Sequence, residues 1–315
     1  MSQSEPLLEL HPLWAAARIL PASPCASLFA YCSLSTRRDV SIRVSIAVLL
    51  AACVLLIAAG PAGSLPLSYV SGVVYAAAFV PFLLVGAPSG WKRFLGIWCA
   101  MAVAASFCTW TEYVIFVHAS RKERITALVG GQVVFAVFSA LLAFAAKLFK
   151  VGVGTKVDSD VIPARRVIGA IFGGGMVYLV CYYIFGALVF QLLTKPYYSN
   201  GGRLGGAAET VAALGWWFPL IQVGRGMLMS VAVLPVLLWT RLPRLQRAAY
   251  GGLVLWAIGG LAPLIPPVEF VPPILRAMHV GEIFTQNFPL GFCLAFLLMA
   301  RKTVEAPVAM AAGRS

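Results

Sequence analysis

The stretch Trp216-Trp-Phe-Pro-Leu-Ile-Gln-Val-Gly-Arg-Gly-Met-Leu-Met-Ser-Val-Ala-Val-Leu-Pro-Val-Leu-Leu-Trp239 carries one ionisable residue, Arg225. As a helix it is about 36 Å long, enough to cross the roughly 30 Å hydrocarbon core of a bilayer. A cation near the middle of such a span costs about 2.5–3.5 kcal/mol on insertion scales. It therefore needs a counter-group contributed by another part of the chain. This one segment sets both the fold class and the search for a site.

The rest of the chain repeats the apolar pattern. Of 315 residues, 61% are hydrophobic and 11% charged, against about 25% charged in soluble domains. The mean hydropathy is +0.89. Eight runs are long enough to span: 44–60, 66–86, 94–118, 126–149, 167–193, 216–239, 249–267 and 280–300. In lipid, runs of this length satisfy their backbone only as helices. The reading is an all-α polytopic transmembrane bundle of about eight spans, with both termini cytoplasmic. Residues 1–43 form a cytoplasmic or membrane-surface tail, 44–302 the transmembrane domain and 303–315 a second cytoplasmic tail.

Charge placement supports the topology and argues against nucleic acid. With eight spans, 17 of the 24 Lys and Arg residues fall on the cytoplasmic side, as the positive-inside rule expects. The net charge of +13 is thus an orientation signal and not a nucleic-acid footprint. One outer loop, Ala119-Ser-Arg-Lys-Glu-Arg124, dissents. The tail holds Pro21 and Pro24 and is too interrupted to span. Arg37-Arg38 before an apolar run faintly resembles a twin-arginine signal, but the further spans read it as the basic flank of a first span. The stretch 194–210 reads as a loop with Asn-Gly-Gly and Gly-Gly turns. Residues 263–273 hold five prolines and read as a stiff outer connection. Glycines at 169, 173–175, 251, 252, 259 and 260 suit close helix approach, and Gly224 and Gly226 thin the helix beside the arginine. Trp216, Trp217, Tyr197 and Tyr198 read as an interfacial aromatic belt, with a mouth over the polar pocket as the alternative.

Polar residues inside the spans mark the candidate site. They are Glu112 in the third span, Gln222 and Arg225 in the sixth, and His279, Glu282, Gln286 and Asn287 at the start of the eighth. At about 1.5 Å per residue, Glu112 lies about 9 Å, Arg225 about 12 Å, Glu282 about 3 Å and Gln286 about 9 Å below the outer edge. Three non-adjacent spans thus bring polar groups into one half of the membrane. His279, Glu282 and Gln286 share a narrow helical sector with Asn287 to its side, and Gln222 and Arg225 share a face at i, i+3. The expectation is an ion pair from Arg225 to Glu112 or to Glu282, bidentate if geometry allows. Two carboxylates for one cation leave a spare acid to relay a proton or to bind a cationic or hydroxylated ligand.

Other chemistry is missing from the pattern. There is no Walker loop, G-x-S-x-G, H-E-x-x-H or C-x-x-C, and Asp158 and Asp160 make only a short acidic turn. No cofactor and no metal site is expected: His118 and His279 lie at span ends without further ligands. The cysteines within spans act as small hydrophobes. The pattern Gln222-Val-x-Arg-Gly226, then His279-x-x-Glu-x-x-x-x-Asn-x-x-x-Gly291, resembles a group of uncharacterised bacterial multi-spanning inner-membrane proteins over residues 216–300. The resemblance implies a bacterial inner membrane and no activity. The functional expectation is a polar site in the outer half that binds or translocates a small polar or lipid-headgroup ligand, with membrane lipids as surroundings. Two rivals stand beside it: an enzyme acting on a lipid-linked substrate, with Glu282 or His279 as acid or base, and a non-catalytic assembly subunit.

Overall fold

The computed structural model describes residues 34–58, 65–85, 90–151, 162–199, 206–268 and 271–299. The chain divides into two compact units, Met1–Ser41 and Ile42–Ser315, and the site lies wholly in the second. His11, Cys25, Cys32, the Asp158–Asp160 turn and the C-terminal tail fall outside the described residues. Among the described residues there is no sheet, only an isolated bridge between Val268 and Val271.

Among the described residues, six helices are long and apolar enough to cross a membrane. In chain order the helices are α1 (Leu34–Ala58), α2 (Leu65–Val85), α3 (Trp91–Phe116), α4 (Arg121–Leu148), α5 (Ala164–Tyr198), α6 (Ala207–Leu214), α7 (Trp217–Trp239), α8 (Arg244–Trp256) and α9 (Pro273–Leu298). The six are α2, α3, α4, α5, α7 and α9. The first and seventh expected spans fall on α1 and α8. The latter runs on through a π segment, Ala257–Leu261, and a 3-10 turn, Ala262–Leu264.

Two local expectations are corrected. The loop foreseen from residue 194 starts later, because α5 continues to Tyr198. Pro196 is the second residue of the segment Lys195–Ser199, where a proline forfeits no hydrogen bond of that segment. Residues 207–214, partly inside the same foreseen loop, form α6, entered through Gly206 at φ 77° and left through Gly215 at φ 52°. Those left-handed conformations are the ones glycine adopts without steric cost.

In the membrane, helices associate by packing and by polar contacts, since lipid supplies little hydrophobic drive between them. α7 is the central helix: 56% of its span window is buried, against 11% for α5. α8 and α9 touch backbone to backbone. A Cβ on Gly251 would lie 2.6 Å from the Gly291 carbonyl oxygen. α5 meets α7 in the same way, since a Cβ on Gly226 would lie 3.0 Å from the Gly175 Cα. Gly224 differs from the expectation, having no atom within 4 Å of where its Cβ would sit, and so does Gly169.

Among the described residues, four π segments interrupt the helices: Met101–Phe107, Tyr182–Gly186, Phe190–Thr194 and Ala257–Leu261. π turns disturb the regular backbone ladder and recur at functional sites. Neighbouring side chains bond to the backbone near two of them. Gln132 Nε2 donates to the Ala102 carbonyl at 2.9 Å, and Asn287 Nδ2 donates to the Leu255 carbonyl at 3.2 Å. All four segments contribute residues to the walls described next.

Candidate functional site

At one end of the bundle the helices part around a cavity of about 530 Å³. Its walls come from the end of α3, the second half of α5, α6, the start of α7, the Pro-rich connection after α8 and the first turns of α9. The connection is held in place by Arg276, whose Nη1 donates to the carbonyls of Leu264, Ile265 and Pro266 at 3.3, 3.0 and 2.9 Å. This explains how five prolines and few regular hydrogen bonds still make a defined wall. The wall is mainly apolar and aromatic. Phe116, Tyr182, Tyr183 and Phe218 contact one another edge-on, with centroids 5.8–6.5 Å apart. Such arrangements are favoured by the ring quadrupoles. On the α5 side the wall is one helix thick, and Ile184 and Leu188, each 52% exposed, lie on its outer flank.

Polar groups meet this cavity in two sets. The first is centred on Arg225, which is 6% exposed. Its Nη2 lies 2.7 Å from Glu112 Oε1, and its Nη1 donates to Gln222 Oε1 at 2.8 Å. The guanidinium also stands 5.5 Å from the Tyr178 ring centroid, a cation–π distance. One helix turn in α7 thus supplies the cation and its amide partner, and α3, 113 residues away in sequence, supplies the carboxylate. Of the two ion pairs expected, the Glu112 pair forms. The fork is split between a carboxylate and an amide instead of clasping one carboxylate.

The second set is a chain along α9. His279 Nδ1 is 2.8 Å from Glu282 Oε2, and Gln286 Nε2 donates to Glu282 Oε1 at 3.2 Å. Tyr198 Oη, from the end of α5, is 3.0 Å from His279 Nε2. One imidazole tautomer serves both contacts, with Nδ1–H donated to the carboxylate and Nε2 accepting the phenol proton. Glu282 is therefore not a partner of Arg225. Tight space at Gly186 admits this set: a Cβ there would lie 3.3 Å from Glu282 Oε1 and 3.4 Å from Gln286 Nε2.

Glu112, His279, Glu282, Gln286 and Tyr198 line the large cavity. A small void of about 10 Å³ lies against Glu112, Arg225, Gln286 and Asn287, room for about one water molecule. Two expected site residues have structural duties instead. Gln222 is fully buried, orients Arg225 and lines neither space. Asn287 holds the Leu255 carbonyl and borders only the small void. Two tyrosines carry no signal in the sequence as site residues: Tyr178 behind the arginine and Tyr182 in the wall. Tyr198, at the head of the chain, lines the cavity and fits the alternative of a mouth over the polar pocket. Trp216 and Trp217 do stand exposed, at 65% and 56%, stacked at 4.2 Å and away from the cavity lining. Among the described residues no three His, Cys, Asp or Glu side chains converge as metal ligands.

Chemically, the arrangement offers an apolar chamber with acceptors in its lining and a hydrogen-bonded Tyr–His–Glu chain able to hold or pass a proton. No protein-family model, no curated protein and no solved structure matches the chain.

Proposed function

We propose that this protein binds an amphiphilic ligand, such as a lipid or lipid-like molecule, with its apolar body in the large cavity and its polar head against Glu112, His279, Glu282 and Gln286. The observation that carries this reading is the cavity itself. It holds about 530 Å³ and has a mainly apolar and aromatic wall that carries a few polar side chains, among them Glu112, His279, Glu282 and Gln286. Ligand sites have this character, a largely apolar pocket with a small number of placed polar groups. The setting is a bundle of eight spans in a bacterial inner membrane, termini in the cytoplasm and the cavity in the outer half.

The lining ends at Thr109, Gly259, Ile283 and Gln286. Behind these lie Arg225 and Met229 around the small void. A chamber closed at its inner end favours binding over an open translocation path. A purely structural role accounts for Arg225 and Glu112 but leaves the chamber without a use. A second reading draws on the Tyr198–His279–Glu282 chain: general acid–base chemistry on a lipid-linked substrate, with His279 as the proton acceptor and Glu282 orienting it.

The test is native mass spectrometry of the protein released from its own membranes. Wild type should retain an amphiphile of defined mass. Leu264→Trp and Ala187→Phe, which fill the chamber from two different walls, should lose it while keeping the wild-type unfolding temperature. Retention of the same mass by both variants would contradict the proposal.

A further inference from the structure

We infer that the cavity selects organic cations, guests with an apolar body and an ammonium-type head, whether held in the bilayer or taken from solution. This rests on the reading of the cavity as a binding site and adds the sign of the charge. Among the described residues the lining includes two carboxylates, Glu112 and Glu282, and no lysine or arginine. Glu112 is already compensated, since Arg225 binds it at 2.7 Å from behind and itself borders only the small void.

Glu282 is not compensated in that way. Its partners are the Gln286 amide and the His279 imidazole, and Tyr198 supplies a phenol proton to the far nitrogen of that ring. The imidazole offsets the carboxylate only when it is protonated, whereas the guanidinium that binds Glu112 is always charged. Among the described residues, Arg276 donates to three backbone carbonyls and Lys195 is exposed, and neither lines the cavity. The described part of the chamber thus sets two carboxylates against one permanent cation, in a membrane interior where an unpaired charge is costly.

A cationic head relieves that excess, whereas an anionic head adds to it. The rings agree with the charge. Phe190 and Tyr198, with centroids 5.8 Å apart, share the lining with Glu282, as do Tyr182, Tyr183 and Phe218. Aromatic faces attract ammonium groups, most strongly when desolvated. Arg225 is on this account a positioning residue that keeps Glu112 in place without meeting the guest.

The test is equilibrium dialysis of the full chain in phosphatidylcholine nanodiscs, with protein-free discs as the blank. Three probes share one tail: decyltrimethylammonium, decyl sulfate and neutral decyldimethylphosphine oxide. The expected order is ammonium over phosphine oxide by about tenfold or more, the factor one 1.4 kcal/mol contact gives, with decyl sulfate weakest. Glu282→Gln, close to isosteric, should reduce the ammonium preference to about twofold or less. Equal binding of all three probes, or a preference for sulfate, overturns the inference and leaves the amphiphile site standing. A preference that survives Glu282→Gln overturns the assignment to this acid. Failure of all three to bind overturns the inference together with the reading beneath it. Doping the discs with a two-tailed trimethylammonium lipid separates the sources. Displacement of the decyl probe supports a site filled from the bilayer, and retention of the probe supports one filled from solution.

Discussion

Glu112 and Glu282 face the same chamber and are held in opposite ways. Glu112 is tied across the bundle to a buried guanidinium, so its charge is part of the packing of α3 against α7. Glu282 is held within its own helix by an imidazole and an amide and is linked to α5 through Tyr198. The same residue type at one chamber thus meets two kinds of partner. A carboxylate answered by a fixed cation serves the packing, and we propose that the one answered by an imidazole and an amide is available to a guest.

That contrast predicts unequal costs. Arg225→Ala should have the largest effect, about 3–5 kcal/mol of stability, because it strands a partly buried carboxylate. Chemical unfolding in detergent measures it. Adding Glu112→Ala to Arg225→Ala should recover part of the loss, with a coupling of about 0.5–3 kcal/mol. Arg225→Lys should fall between, since an ammonium cannot serve the carboxylate and the amide with a planar fork. A loss below about 1 kcal/mol for Arg225→Ala would erase the distinction drawn between the two acids.

Gly259→Ala comes next. The new Cβ would lie 2.6 Å from Asn287 Nδ2, where it disturbs the amide that holds the Leu255 carbonyl. A cost of about 1–3 kcal/mol is expected from such overpacking, read from the shift in thermal unfolding.

Glu282→Gln should cost about 1 kcal/mol or less, the net worth of one hydrogen bond, while removing cation selectivity. A stability loss as large as that of Arg225→Ala would make Glu282 structural too. Gly224→Ala is the smallest effect and has the opposite sign. With nothing within 4 Å of the new methyl, the gain in helix propensity should stabilise by up to about 1 kcal/mol. Destabilisation would show that the flanking glycine is needed after all.

Much of this arrangement was legible in residue order. Apolar run length gave the helices, and a rise of about 1.5 Å per residue put Glu112, Arg225 and Gln286 at similar depth. They do converge, around the small void. Which acid would meet the arginine was not legible, because the depth argument fixes height and says little about which helices are neighbours. Gln222 and Asn287 looked like ligands because buried amides look alike in sequence, whether they serve a guest, a guanidinium or a strained carbonyl. The π segments left no trace, since Ala102-Val-Ala-Ala-Ser106 or Tyr182-Tyr-Ile-Phe-Gly186 suits an ordinary helix equally well. α6 was hidden by the glycines in front of it.

The most direct test is an atomic-resolution density map of the protein in lipid nanodiscs prepared from its own membranes. It should show elongated density along the aromatic wall, ending in a head group within hydrogen-bond reach of Glu282, with Arg225 still bound to Glu112. A chamber closed by its own side chains, or Arg225 turned away from Glu112, would contradict the account.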